Sequence, residues 1–127
     1  MHESAKYSTS VLMADTDDCI PGYRRLVEAV KPHGTAVFGQ LFHDGREMME
    51  SQDGSLPVAL APSAVPSELF HVMPRAMPVS LIKEIVDCFG ASARRLQSAG
   101  LDGVEVVASP GYLPAQFLNP RVNIRDD

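Results

Sequence analysis

Cysteine is scarce in this sequence, and its arrangement argues against both a disulfide framework and the common zinc motifs. Cys19 and Cys88 are the two cysteines, and neither belongs to a Cys-x-x-Cys pair or has a histidine at ligand spacing. Free cysteine is usually buried and behaves as a small apolar side chain. We therefore expect two free, buried thiols in a reducing compartment and no metal site.

Runs of basic residues and long apolar stretches are also missing. Lys and Arg form nothing longer than pairs such as Arg24-Arg25, and the net charge is −5, so we expect no binding to nucleic acid or anionic lipid. No segment approaches the roughly 18 apolar residues of a membrane span, and residues 1–6 lead into no signal-peptide core. The expectation is a cytoplasmic protein of 127 residues forming one domain.

A helix is predicted from Ile20 to the glycine at position 34. Pro21 suits the first turn, because its missing N–H would have no acceptor there, and an apolar stripe at helical spacing follows, ending where Gly34 favours a left-handed cap. The stripe consists of Tyr23, Leu26, Val27 and Val30. The acidic residues 15, 17 and 18 precede the positive end of this helix, which accounts for them without a metal.

The residues that follow predict a buried strand and then a long irregular excursion. Residues 35–42 are mostly apolar, with Gln40 as the one strongly polar side chain, which is typical of a parallel strand buried on both faces. Residues 44–79 contain many of the prolines and show no lasting periodicity. Their apolar content is too high for a flexible tether, so we expect an ordered excursion.

A second helix and a second strand close the pattern. Apolar residues recur at helical spacing from about Ser80 to Ala99, Gly100 follows, and residues 101–107 are predicted to form a second strand. Helix, strand, excursion, helix, strand is the order of α/β proteins whose parallel strands are joined by right-handed crossovers.

Five segments in register carry a family resemblance. In order along the chain they are residues 20–26 (IPGYRRL), 40–46 (QLFHDGR), 61–66 (APSAVP), 99–105 (AGLDGVE) and 111–127 (GYLPAQFLNPRVNIRDD). They resemble consecutive parts of the NADH:flavin oxidoreductase, or Old Yellow Enzyme, family. The similarity covers residues 20–127, which leaves residues 1–19 as an irregular N-terminal segment.

The resemblance implies part of a (β/α)8 barrel, about two β/α units long. The two predicted strands would be the third and fourth of the barrel, and the last residues would begin its fourth helix. Barrels of this kind build their sites at the C-terminal ends of all strands, with cofactor phosphate near strands seven and eight. The strands that would complete the site are not among these 127 residues, so we expect a single incomplete barrel segment.

Two residues acquire roles from the resemblance. Gln40 is similar to the family glutamine whose amide hydrogen-bonds the pyrimidine edge of FMN, a task that suits a group able to donate and accept. Tyr112 matches the family tyrosine that protonates the substrate carbon opposite the one receiving hydride. The alternatives are a glutamine satisfied by neighbouring backbone and a tyrosine that only packs.

One pair of positions departs from the family pattern. The family typically carries His-x-x-His or His-x-x-Asn just before Gly-Tyr, and these donors hydrogen-bond the substrate and stabilise its developing negative charge. Here the positions hold Val107 and Pro110, which have no side-chain donor. His43, in the loop after the first strand, could supply one, although a lone loop histidine is more often structural.

Three functional readings follow from these residues, and the third is a small α/β domain that self-associates by pairing its strands across copies. The first is a segment of an FMN-dependent NAD(P)H oxidoreductase acting on a small unsaturated substrate and inactive alone, either a truncated product or one part of an enzyme whose other parts lie on another chain. The second is a non-catalytic remnant that serves as a small folded or partner-binding domain, and the missing donors at Val107 and Pro110 favour this reading.

Overall fold

A computed structural model describes residues 2–5, 11–48 and 58–127 of the chain. The middle of the predicted excursion, with Gly54 and Pro57, lies outside the described residues. Within the described part, residues 2–19 contain short 3-10 turns at Glu3–Ala5 and Asp17–Cys19. No described helix combines the length and apolar character needed to cross a membrane.

The first predicted helix is confirmed and is labelled α1, Ile20–Val30. Pro21 lies in its first turn, and a 3-10 turn over Lys31–His33 continues it to Gly34. Gly34 has φ +75°, the left-handed conformation expected of a glycine at a helix end. The carboxylate of Asp17, just before α1, pairs with Arg95 across 2.7 Å.

The two predicted strands are confirmed as a parallel pair. Strand β1, Phe38–Leu41, runs beside strand β4, Gly103–Val106, with Gln40 opposite Glu105 in the register. Both are shorter than the predicted strands over residues 35–42 and 101–107. Helix α2, Val79–Ala99, makes the crossover between them and ends at Gly100, so the observed order is that of a β/α barrel segment.

One face of the sheet packs against the helices. The buried residues of this core are Ala14, Val27, Leu41, Leu96, Ala99 and Leu101. Gly39 of β1 also faces α2, and a Cβ built at this glycine would lie 2.5 Å from Cδ1 of Leu96. The missing side chain therefore lets helix and strand approach closely.

The prediction that the first strand is buried on both faces is wrong for this chain. Phe38 is 63% exposed and Gln40 is exposed, whereas Leu41 on the opposite face is buried. In a barrel the second face of a strand is covered by the other strands across the interior. Among the described residues no further strand joins β1 or β4, so this face stays open.

The excursion contains structure that the sequence did not predict. Strand β2, Leu60–Ala61, pairs in parallel with strand β3, Arg75–Ala76. Met77 follows β3 and is buried with Ile85 of α2 and Leu113 of a short helix α3, Leu113–Leu118. The excursion is therefore tied to the α2 side of the fold.

Candidate functional site

Gln40 and Glu105 lie side by side on the open face, by which we mean the face of the sheet that carries Phe38, Gln40 and Glu105, opposite α2. Side chains alternate between the two faces of a strand, which directs Gln40 away from the helices. Its Nε2 donates a hydrogen bond to Oε2 of Glu105 at 3.1 Å. This bond orients the amide, so that its oxygen is left to accept from another group.

Tyr112 lies beyond the C-terminal end of β4. Its backbone N–H donates to the Ser109 carbonyl at 3.2 Å, and the residue precedes the first turn of α3. Its ring meets the ring of Phe42 edge to face, with centroids 5.8 Å apart. Phe42 directly follows β1, so this contact brings the phenol to the same end of the sheet as Gln40.

The two positions that depart from the family pattern flank the same turn. Val107 donates its backbone N–H to the Leu41 carbonyl at 2.9 Å and so extends the pairing of β4 with β1. Pro110 is exposed. Neither side chain can donate a hydrogen bond.

His43 is enclosed and does not reach the open face. It has 0% relative exposure, its Nδ1 accepts the Gly45 N–H at 3.0 Å, and its Nε2 lies 2.8 Å from Ser4 Oγ. Since Nδ1 is an acceptor, Nε2 carries the proton and donates to Ser4. Burial lowers the pKa of His43 to about 4, with the nearby His2 as a second cause. The structural role is therefore favoured over a substrate donor.

The bond from His43 begins a chain that joins the N-terminal residues to α2. Ser4 Oγ lies 2.6 Å from Nδ1 of His2, and Nε2 of His2 lies 3.3 Å from Oε1 of Glu84. Nothing in the sequence spacing indicated this connection, because His43 and Glu84 lie far along the chain from residues 2–4.

Asp44 is a buried carboxyl that sequence reasoning missed. It is 6% exposed, and its Oδ2 has no hydrogen-bond partner. Burial raises the pKa of Asp44 to about 6, because the charged form loses hydration. A short polar loop directly after a strand would usually be solvated, so the sequence carried no sign of this burial.

Gln116 is the second buried polar residue that the sequence did not single out. It lies on α3 with 3% exposure. Its Nε2 donates to the carbonyls of Asp44 at 2.8 Å and Gly111 at 2.5 Å, and its Oε1 accepts the Arg46 N–H at 3.2 Å. A lone glutamine within an apolar helical run was the available signal, since a buried amide needs partners.

The cysteines and the acidic residues do not form a metal site in the part of the chain that the structure describes. Cys19 and Cys88 are free thiols, and both are half-buried rather than fully buried. Burial is the main reason that the pKa of Cys19 is raised. No group of three or more His, Cys, Asp or Glu residues is arranged to hold a metal within residues 2–5, 11–48 and 58–127.

Comparison with known proteins extends the resemblance to the N-terminal residues. The model of the NADH:flavin oxidoreductase / NADH oxidase family matches residues 2–127. A metal reductase from Desulforamulus reducens is 43% identical over 113 residues, covering 89% of this chain and 17% of that protein. An NADPH dehydrogenase from Geobacillus thermodenitrificans is 40% identical over 111 residues, covering 87% of this chain and 31% of that protein.

Other relatives and a solved structure agree. A multifunctional alkene reductase/demethylase from Caballeronia cordobensis is 38% identical over 111 residues, covering 87% of this chain and 16% of that protein. The structure of a morphinone reductase mutant in complex with tetrahydroNAD superimposes with a TM-score of 0.81 at 33% identity, covering 98% of this chain and 38% of that one. The chain thus spans under two fifths of the length of each, and it belongs to the NADH:flavin oxidoreductase / NADH oxidase family as part of an α/β barrel.

Proposed function

We propose that this chain contributes two adjacent strands to the site of an FMN-dependent NAD(P)H oxidoreductase. The observation that carries the proposal is the position of Gln40 and Tyr112 at one end of a parallel sheet, where the Tyr112 ring contacts the ring of Phe42, two residues after Gln40. Sites of β/α barrels lie at that end of the strands. In this proposal Gln40 binds the cofactor and Tyr112 acts on the substrate.

The surroundings of Gln40 fit the edge of a flavin ring. The bond to Glu105 occupies one amide hydrogen, which leaves the amide oxygen as an acceptor and the other hydrogen as a donor. The pyrimidine edge of a flavin offers both kinds of group. FMN, when bound, would supply the hydride that NAD(P)H delivers, and Gln40 would orient the ring.

Tyr112 would supply the proton in the second half of the reaction. A phenol serves as a general acid when it lies within hydrogen-bond reach of the atom it protonates. The T-shaped contact with Phe42 restrains the ring of Tyr112. The substrate class would be a small molecule with an electron-poor double bond.

Val107 and Pro110 limit the substrates that this site would handle well. Removing one donor that faces a developing negative charge typically costs about 3 kcal/mol of transition-state stabilisation. Ordinary enone reduction should therefore be slow even in a completed barrel.

A complete site requires strands beyond β1 and β4. Both strands have an edge without a partner among the described residues, and exposed edges invite pairing with other chains. We propose that a complementary chain, or further copies of this one, cover these edges. Alone, the chain should hold FMN weakly.

A non-catalytic partner-binding domain is the second candidate. The lack of side-chain donors at Val107 and Pro110 favours it, as do exposed apolar side chains such as Val86, at 62%, and Leu118, at 79%. Exposed apolar patches commonly mark interaction sites.

The test is a chimera in which residues 20–127 replace the matching segment of a complete barrel of the family. Stopped-flow absorbance follows flavin reduction by NAD(P)H and flavin reoxidation by substrate separately. Gln40→Ala should weaken FMN retention, whereas Gln97→Ala, on an exposed helical position, should not. Tyr112→Phe should slow only the reoxidation by substrate.

Two results would refute the oxidoreductase proposal. One is a chimera whose FMN retention is the same with glutamine and alanine at position 40. The other is a Tyr112→Phe chimera that reduces substrate at the unmodified rate, which would leave the phenol with a packing role alone.

A further inference from the structure

We propose that Gln116 is a positioning residue that holds Tyr112 in place relative to the strand carrying Gln40. The inference rests on the proposed function, in which Tyr112 protonates the substrate. The side chain of Gln116 does not lie on the open face. Its effect on the reaction would therefore be transmitted through the turn that carries Tyr112.

The amide of Gln116 connects two segments that are distant in sequence. Nε2 donates to the carbonyl of Gly111, in the turn after β4, and to the carbonyl of Asp44, in the loop after β1. Oε1 accepts the N–H of Arg46 in that same loop. Both amide hydrogens and the amide oxygen are therefore in use, and one side chain holds the two strand ends together.

The Gly111 carbonyl belongs to the peptide unit that leads into Tyr112. On the other side of Tyr112, the N–H of Leu113 donates to the His43 carbonyl at 2.8 Å. The tyrosine is thus fixed to the β1 loop both before and after its own Cα. We call these hydrogen bonds on either side of Tyr112 the clamp. It restrains the direction of the Tyr112 side chain without touching it.

Gly45 provides the space in which this amide lies. A Cβ built on Gly45 would overlap the amide group of Gln116, and Gly45 has φ +64°. An alanine there would push the Gln116 amide away from its three backbone partners while leaving the glutamine in the sequence. This gives a second way to break the clamp.

Glutamine is the side chain that suits this position. A leucine would leave the Gly111 carbonyl and the Arg46 N–H without these partners, while the Asp44 carbonyl would keep only the Glu47 N–H at 3.2 Å, and buried backbone groups are nearly always paired. An ionised glutamate could accept from Arg46 but could donate to neither carbonyl.

The test uses the full chain labelled with ¹³C at tyrosine and followed by NMR. The chain has three tyrosines and no tryptophan, and Tyr23 on α1 reports whether the rest of the fold is intact. In Gln116→Leu and in Gly45→Ala we expect the Tyr112 ring signal to move towards that of an exposed tyrosine. The ring cross-peak between Tyr112 and Phe42 should be lost, while the Tyr23 signal stays in place.

Gly34→Ala is the matched control for backbone strain. Gly34 has φ +75° like Gly45, but a Cβ there would meet nothing within 4 Å. It should leave the Tyr112 signal and the cross-peak with Phe42 unchanged. If Gln116→Leu also disturbs Tyr23, the comparison of Gly45→Ala with Gly34→Ala decides.

The proposal is overturned if Gly45→Ala keeps the Tyr112 signal and the Phe42 cross-peak of the wild type, or if Gly34→Ala alters them to the same degree. The catalytic role of Tyr112 is tested separately. A shifted Tyr112 signal together with unimpaired substrate reduction by the Tyr112→Phe chimera would retain the clamp and reject the proposed function.

Discussion

His43 and Asp44 are adjacent residues whose burial changes their protonation in opposite ways. The pKa of Asp44 is raised from 3.8 to about 6, so its contribution to stability is complete below pH 3.8 and is lost as the pH rises through 6. The pKa of His43 is lowered from 6.5 to about 4, so its contribution is present above pH 6.5 and is lost as the pH falls through 4. The two effects oppose each other over nearly the same range.

We therefore predict that the free energy of unfolding of the wild type varies little between pH 4 and 6.5. In Asp44→Asn the contribution of Asp44 is removed, so the pH dependence should reflect His43 alone. In this variant the free energy of unfolding should rise by on the order of 3 kcal/mol from pH 4 to 6.5. Urea denaturation followed by circular dichroism at several pH values measures the profile.

Two further variants check this interpretation. Asp18→Asn removes an exposed carboxylate and should keep the flat profile of the wild type. His43→Gln should show the reverse slope, with stability falling as the pH rises. A flat profile for both Asp44→Asn and His43→Gln would mean that neither buried group is linked to folding.

The departures at Val107 and Pro110 give a prediction about chemistry. In the chimeric barrel, Val107→His together with Pro110→His should raise enone turnover by far more than the two single changes would add up to, because the two donors act on one oxygen as a unit. Substrate-dependent flavin reoxidation measures the effect. Fast enone reduction by the unmodified chimera would show that the missing donors do not limit the site.

Some candidate site residues could be proposed from the sequence and others could not, for a physical reason. Gln40 and Tyr112 sit in segments whose local pattern resembles a family, and the structure brings them to one end of the sheet. The burial of His43, Asp44 and Gln116 depends on loops and a helix that meet only in the folded chain. No local pattern distinguishes such residues from solvated ones.

At the scale of elements, the alternation of helices with strands and the boundaries of the helices could be predicted from the sequence, because both depend on local periodicity. The ends of both long helices were predicted to within a few residues. The two main strands were predicted too, but each is shorter in the structure than in the prediction. Strands β2 and β3 were missed because each has two residues. Their pairing is defined by hydrogen bonds between remote segments, and a strand of two residues is too short to show an alternating hydrophobic pattern.

The contact of β1 with α2 yields a prediction that compares two glycines. Gly39→Ala should destabilise the fold by about 1–3 kcal/mol, because its methyl group would displace Leu96 from a packed core. Gly22→Ala, in α1 where a Cβ meets nothing within 4 Å, should stabilise by up to about 1 kcal/mol through helix propensity. Thermal unfolding of the two variants and the wild type measures both effects. Equal melting temperatures for all three would refute the close approach.

At the scale of the whole molecule, an apolar groove and one edge of each main strand are left uncovered among the described residues. An apolar groove of about 240 Å³ runs between α2 and α3, with Val106 of β4 in its floor. Val86 and Val106 in this groove are 62% and 52% exposed. In a complete barrel the neighbouring β/α units would cover such a surface.

We predict from this groove and the open strand edges that the purified chain self-associates. Sedimentation velocity should show an average mass that increases with protein concentration. Val86→Lys should shift the distribution towards the monomer, because burying the new charge against a second copy would be costly, whereas its exposed position costs the monomer little. Val58→Lys, at an exposed valine outside the groove, should not. A wild-type chain that sediments as a compact monomer at every concentration would contradict self-association and favour a complementary chain as the partner of the open edges.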